Sequence, residues 1–396
     1  MSLGMSACSG DDDASGDAGT SAVDDTAGDD GGDATPLTAE EAGPVVDNYA
    51  ELVFANYSDA ITTGEALQTA LAAFVADPSA ATQDAAKDAW FAARQPYGQT
   101  EGFRFYDGPI DNIDGPEGQL NAWPMDESYV DYVDGMPESG IINDTGADIS
   151  KAGLAGLNEV GGEENVATGY HAIEFLLWGQ DLNTDGPGDR SFEDFLDDGA
   201  QPNADRRRQY LEVVSELLLD DLNGVAAQWD GSGSGNYRST FVALPPEEAI
   251  QNMMRGIGAL AGAELAEERM NVAFDTKLQE DEHSCFSDNT HNDILYNFLS
   301  VKNVCLGDYG SVSGPGIDTL VEARNPELAT QIADKLAATE ALINDIPAPF
   351  DQAILGADTD PGRVAVAAAV TSLRELGDMF VVAAASMDIT LNVTVE

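Results

Sequence analysis

Residues 38–78 read TAEEAGPVVDNYAELVFANYSDAITTGEALQTALAAFVADP, and this stretch decides the fold. Val45, Tyr49, Leu52, Val53, Tyr57, Ala60, Ile61, Leu67, Leu71 and Phe74 recur three or four residues apart, the spacing that lines up one face of an α-helix. Thr38 followed by Glu41 forms a capping box at its start, and Asp77-Pro78 stops it because the residue before proline is driven out of the helical region. Ser79 opens a second helix in which Trp90, Tyr97 and Phe105 continue an inward stripe.

The same periodicity returns near 168–178, 204–228, 246–278, 288–299, 326–346 and 362–385, with Asp288 placed to cap the fourth of these. Strand-like alternation is confined mainly to the tail at 389–395. The expectation is an all-α protein of two helical bundles, each resembling a four-helix bundle, packed side by side with a site at their interface. Gly231-Ser232-Gly233-Ser234-Gly235 marks the boundary, giving an N-terminal bundle at 36–230 and a C-terminal bundle at 236–396. Residues 1–35 are rich in Gly, Ala, Ser, Thr and Asp without a single Lys or Arg, a composition expected of a disordered acidic tether.

The 396 residues carry 72 Asp and Glu against 17 Lys and Arg, a formal net charge of −55. Such a chain repels nucleic acid phosphates and anionic headgroups, so neither is an expected partner. Its surface suits salty water or an abundance of cations. The longest apolar tract, 364–387, is broken by Arg374, Glu375 and Asp378, so any membrane attachment is expected through a lipid alone. Met5-Ser6-Ala7-Cys8 has the small residues that precede a lipid-bearing cysteine, although the apolar segment of a signal is lacking before it. Cys285 and Cys305 either pair or remain buried thiols; spacing does not choose.

The three histidines all lie among carboxylates. His171 and Glu174 are three apart on an expected helix, so both project from one face, where they could share a cation. The segment 279–291 supplies Glu282, His283, Asp288 and His291 for a second half of the site. Imidazole and carboxylate donors suit iron, zinc or manganese. Alternatively, His283 and His291 only orient a helix junction through carboxylate hydrogen bonds. Arg94, Tyr97, Glu101 and Arg104 form a third polar stripe, as either a binding cleft or a structural ion-pair network. The loop Asp181, Asn183, Asp185, Gly186, Asp189 follows the first nine positions of a calcium loop, with Phe192 where the bidentate acid belongs; an acidic surface loop is the alternative. Zinc-protease, nucleophile-elbow and P-loop motifs are absent from the sequence.

Gly169-x-His171-x-x-Glu174, continued as Phe175-Leu176-Leu177-Trp178-Gly179-Gln180-Asp181, resembles the signature of the imelysin-like family. The blocks Tyr97–Glu101 and Arg104–Asp111, and the segment 280–291, which is similar to the iron-regulated protein A branch, agree in order over about residues 40–396. The resemblance implies a two-bundle fold, export to the periplasm or outer membrane, a lipid anchor on Cys8 and a role in iron acquisition. It implies a site at the bundle interface made by His171 and Glu174, near Glu101 and Arg104 and the Glu282-His283 segment. Together with the reading of the residues, the expected metal ligands are His171, Glu174, Glu282 and His283, with Arg94, Tyr97, Glu101, Arg104, Asp111, Asp288 and His291 around them. Iron or an iron-bearing ligand is the expected cargo, zinc an alternative metal, and an outer-membrane or transporter component an expected partner. A metallopeptidase of the imelysin type, and a module that binds a polysaccharide or a receptor, are the alternative functions.

Overall fold

A computed structural model describes residues 36–394; the tether and the lipidation expected at Cys8 lie outside the described residues. Residues 36–394 form one compact unit. It is all-α apart from a two-residue antiparallel hairpin, Asp308–Tyr309 with Val312–Ser313.

Helix α1 runs from Ala39–Ala76. Its capping box is formed: the Glu41 amide donates to Thr38 Oγ1 at 3.3 Å while the Thr38 amide donates to Glu41 Oε2 at 2.9 Å. The expected stripe is buried except for Ile61, which is partly exposed. Helix α2, Ala80–Gly98, starts from a second reciprocal box between Ser79 and Thr82 and packs along α1. It stops before Phe105, so the inward stripe ends with it; Phe105 sits in a loop at φ 73°. Residues 99–168 form turns, loops and short helical segments, the longest of them Lys151–Leu157, between α2 and α3, Gly169–Trp178. Helix α4, Ala204–Trp229, then returns against α1 and α3.

The second set of helices begins with α5, Pro246–Ala259. It continues without a break through a π-helical segment, Leu260–Asn271, into a last α-helical turn, Val272–Thr276. Helix α6, Thr290–Leu306, packs against both α2 and the π-helical segment and so links the two sets. Its cap residue is Asn289, not Asp288, which adopts a left-handed φ of 56° in the preceding turn. Helices α7, Ile317–Arg324, α8, Pro326–Asn344, and α9, Pro361–Ala385, complete the set, with α9 against α8, α5 and the π-helical segment.

The alternating tail is not a strand. Ile389 and Leu391 are buried, and Thr390 accepts a bond from Gln251 Nε2 at 2.6 Å, so the tail lies across α5. Gly258 makes this contact fit: a Cβ there would stand 2.7 Å from Val393 Cγ1. Alternation in this segment reflects docking on a helix, not pairing in a sheet.

Candidate functional site

The site begins with α3, whose ten residues are all buried. Gly169 opens it at φ 81°, and a Cβ at that position would lie 2.4 Å from the Leu120 carbonyl oxygen, so only glycine lets the two backbones approach. Trp90 Nε1 donates to the Tyr170 carbonyl at 2.9 Å and ties α3 to α2. One turn into the helix, His171 Nδ1 and Glu174 Oε2 are 2.8 Å apart. Glu174 Oε1 accepts from the backbone and hydroxyl of Ser287, at 3.0 and 2.6 Å, which joins α3 to the turn before α6.

That turn brings His283 to His171, with ring centroids 4.7 Å apart and planes at 75°. His283 Nδ1 lies 3.1 Å from Asp293 Oδ2. Asp293 is also gripped by the fork of Arg94, Nε to Oδ1 at 3.2 Å and Nη2 to Oδ2 at 2.9 Å. Burial opposes ionisation of Asp293, but Arg94 and His283 outweigh it and hold the carboxyl well below the usual range. Since Asp293 is an ionised acceptor, the hydrogen-bond pattern assigns the His283 proton to Nδ1 and leaves the Nε2 lone pair facing the Asn121 amide at 3.4 Å.

The polar stripe completes this network. Arg94 Nη1 donates to Asn121 Oδ1 at 2.6 Å, and Asn121 Nδ2 donates to Glu101 Oε1 at 3.2 Å. Glu101 Oε2 accepts from Arg104 at 2.7 Å and from Arg269 at 2.9 Å. Its pKa is lowered to about 2: burial resists, and the two guanidiniums prevail. Tyr97 stacks against Tyr170, with Arg94 over both rings. The stripe is thus a buried ion-pair network, of which Arg104 alone also lines a cavity.

Burial, reinforced by neighbouring positive groups, depresses both imidazoles: His171 falls well below the ordinary histidine range and His283 to about 4. Both are neutral near pH 7. Burial pushes Glu174 up to about 8 despite the two Ser287 bonds. His171 Nε2 is fully buried and has no hydrogen-bond partner.

A cavity of about 380 Å³ adjoins this network. Trp123, Asn121 and His283 line it, with Arg104 and Arg269. Six carboxylates also face it: Glu117, Glu159, Glu163, Glu264, Glu268 and Asp281. His171 and Glu174 are not on its lining; the Trp123 ring packs against both histidines, 5.0 Å from His171 and 6.5 Å from His283. Glu264, Glu268 and Arg269 come from the π-helical segment, a geometry frequent at functional sites.

The structure therefore unites His171, Glu174, His283, Arg94, Tyr97, Glu101 and Arg104, and separates the other expected residues from them. Glu282 precedes His283 in extended backbone, so their side chains diverge; the charges acting most on Glu282 are Asp351, Asp288 and Asp181. Asp288 belongs with that second group. Asp111 clamps a loop by accepting from the Phe105 amide and, at 2.7 Å, the Gly108 amide. His291 is half-buried, its Nδ1 without a partner, and makes no bond to the network. Among the described residues no three His, Cys, Asp or Glu side chains stand together as a ready metal-ligand set. In the calcium-like loop, Asn183 Nδ2 donates to the Pro187 carbonyl at 2.6 Å, Asp181 accepts from Asn183 and Gln279, and Asp185 and Asp189 are exposed. Cys285 and Cys305 are buried free thiols.

Sequence reasoning missed Asn121, Trp123, Arg269, Ser287 and Asp293. Two signals pointed to them: an arginine is conspicuous in so acidic a chain, and Asp293 lies two residues beyond His291, in the first turn of α6.

The profile of the Imelysin family, Peptidase_M75, matches residues 53–379. Iron-regulated protein A of Synechococcus elongatus is 24% identical over 337 residues, covering 83% of this chain and 81% of that protein. A crystal structure of a protein assigned as an iron-regulated protein A precursor, from Parabacteroides distasonis, superposes with a TM-score of 0.70 at 23% identity, over 90% of this chain and 97% of the other. An imelysin-like protein from Psychrobacter arcticum superposes with a TM-score of 0.66 at 13% identity, over 91% and 99%. The two structures share the fold, and the profile spans most of the sequence, including the α3 motif and the turn that carries His283: the chain belongs to the imelysin family.

Proposed function

We propose that this protein is a binding protein of bacterial iron uptake, exported and tethered by a lipid on Cys8, which holds an iron-bearing ligand in the cavity beside His283 and hands it to an outer-membrane or transporter partner. The observation that carries this reading is the pair of neutral imidazoles 4.7 Å apart, one with an orphaned ring nitrogen, beside an acid-rich cavity. A carboxylate stands on the Nδ1 side of each ring, the arrangement that orients histidines toward metal ions in general. Glu101 and Glu264 are engaged by arginines, so the network offers nitrogen donors more readily than carboxylates. That donor set fits iron arriving with ligands of its own better than a bare ion. The six carboxylates facing the cavity favour a cationic species.

The test is calorimetric titration of the folded protein with ferrioxamine B, a cationic ferric chelate, and, anaerobically, with Fe²⁺, for wild type, His171→Ala and His283→Ala. Saturable binding weakened at least about tenfold in both variants is expected. Equal affinity in all three proteins would reject the site.

A further inference from the structure

The cavity beside His283 has two unlike sides. Along its buried side two guanidinium nitrogens each bridge a pair of glutamates: Arg269 Nη2 donates to Glu101 at 2.9 Å and Glu264 at 2.8 Å, and Arg104 Nη1 to Glu101 at 2.7 Å and Glu117 at 3.0 Å. Charge is mostly balanced there, yet Arg104 Nε, a buried N–H donor on the cavity wall, has no partner. On the open side stand Glu159, Glu163, Glu268 and Asp281, which have no basic partner among the described residues. Trp123, Pro124 and Asp281 also line a second cavity of about 420 Å³, so the two adjoin. The second wall carries Asp126, Glu127, Glu164 and Glu280 as well, and not one basic side chain. Trp123, half-buried, stands at the divide, and indole is the aromatic ring that attracts cations most strongly.

We infer, resting on the cargo reading above, that the cargo is bipolar: a ferric chelate whose metal-bound oxygens accept from Arg104 beside His283, and whose alkylammonium tail crosses Trp123 into the second cavity. A bare cation leaves the Arg104 Nε–H unmatched. A chelate without a positive end leaves the carboxylates of the second cavity unmatched. Only a molecule with both ends answers both walls, and its length has to span the divide at Trp123. The buried arginines thus select the iron-bearing end, and the second cavity selects the tail.

The experiment is calorimetric titration of the full chain with ferrioxamine B, a ferric trihydroxamate that ends in a primary ammonium, and with its N-acetyl derivative, the same chelate without that charge. The proteins are wild type, R104Q and the triple variant E127Q/E164Q/E280Q. Wild type should prefer ferrioxamine B at least about tenfold. In the triple variant that preference should fall below about threefold with affinity for the N-acetyl form unchanged, and R104Q should weaken both chelates alike. Neutralising three of 72 acids leaves the long-range field nearly intact, so such a fall assigns the preference to the second cavity and not to net charge. R104Q removes two ion pairs, so circular dichroism checks its fold; the triple variant alters only solvent-accessible side chains and carries the test by itself. Equal affinity of wild type for the two chelates, or a preference that survives in the triple variant, overturns this inference while the cargo reading stands. Binding of neither chelate rejects both.

Discussion

Two buried charge networks in this molecule differ in the groups at their ends. In the first, Asp131 is fully buried and accepts from Arg190 Nη1 at 2.5 Å, Arg207 Nε at 2.7 Å, Arg207 Nη2 at 2.9 Å and Asn143 Nδ2 at 3.2 Å. Arg207 also reaches the Asp194 carbonyl, and Tyr132 the Asp194 side chain. In the second, Asp293 and Glu101 are as well bonded as Asp131, but the chain of contacts ends in His283 on a cavity wall and in the orphaned Nε2 of His171. Each network leaves buried nitrogen without a partner, Arg190 Nε in the first and Arg104 Nε and His171 Nε2 in the second, but only an imidazole nitrogen can present a lone pair to a ligand. Burial, charge and pKa shift are common to both networks, and both reach a cavity wall, so the imidazole nitrogen is what marks the second as a site.

The largest expected effect tests the first network. Asp131→Ala strands two guanidiniums in the interior and should cost about 3–5 kcal/mol in denaturant unfolding, leaving the ligand affinity of the folded fraction intact. A loss below about 1 kcal/mol would erase the distinction. Next, His283→Ala should cost less than about 2 kcal/mol of stability, because removing it leaves Asp293 paired with Arg94, while Fe²⁺ affinity drops at least about tenfold. The reverse pattern, a large stability loss with affinity unchanged, would make the second network scaffold as well.

A third expectation concerns pH. With Glu174 raised to about 8, the pair holds an extra proton near pH 7, and its hydrogen-bond partner His171 offers a free Nε2 lone pair only when Glu174 is ionised and accepts the Nδ1 proton. Ligand binding through His171 therefore releases a proton, and affinity should rise by up to about tenfold per pH unit before levelling above pH 8. Glu174→Gln should flatten this profile, and Asp131 variants should not. Smallest is a pair outside both networks: Lys335→Ala, losing the partly exposed contact to Glu375, should change stability by about 0–1 kcal/mol and affinity not at all.

The long helices were legible because their physics is local. Thr38 with Glu41, Ser79, the α1 stripe and Asp77-Pro78 each act within one or two turns, and all fall where spacing puts them. His171 and Glu174 were legible for the same reason. The placement of Glu282 was not: one extended residue sends it away from His283, and no periodic pattern records a single backbone step. Asn121, Trp123 and Arg269 join the site through irregular chain and a π-helical turn, where side-chain direction follows from tertiary packing. The tail misled because alternation also arises when an extended segment lies on a helix.

Arginine placement has an outcome for the exterior. Arg94, Arg190, Arg207, Arg269 and Arg363 are buried together with Glu101, Asp131, Glu174, Asp194, Glu282, Asp293 and Asp351, so burial removes almost none of the formal charge of −55 from the solvent-facing shell. Counterions gather over such a shell, and dissolved salt relieves its self-repulsion over a Debye length of roughly 8 Å at physiological ionic strength. The molecule thus arrives at any encounter wearing a cloud of cations, and a cationic cargo has to exchange with that cloud before it meets a side chain.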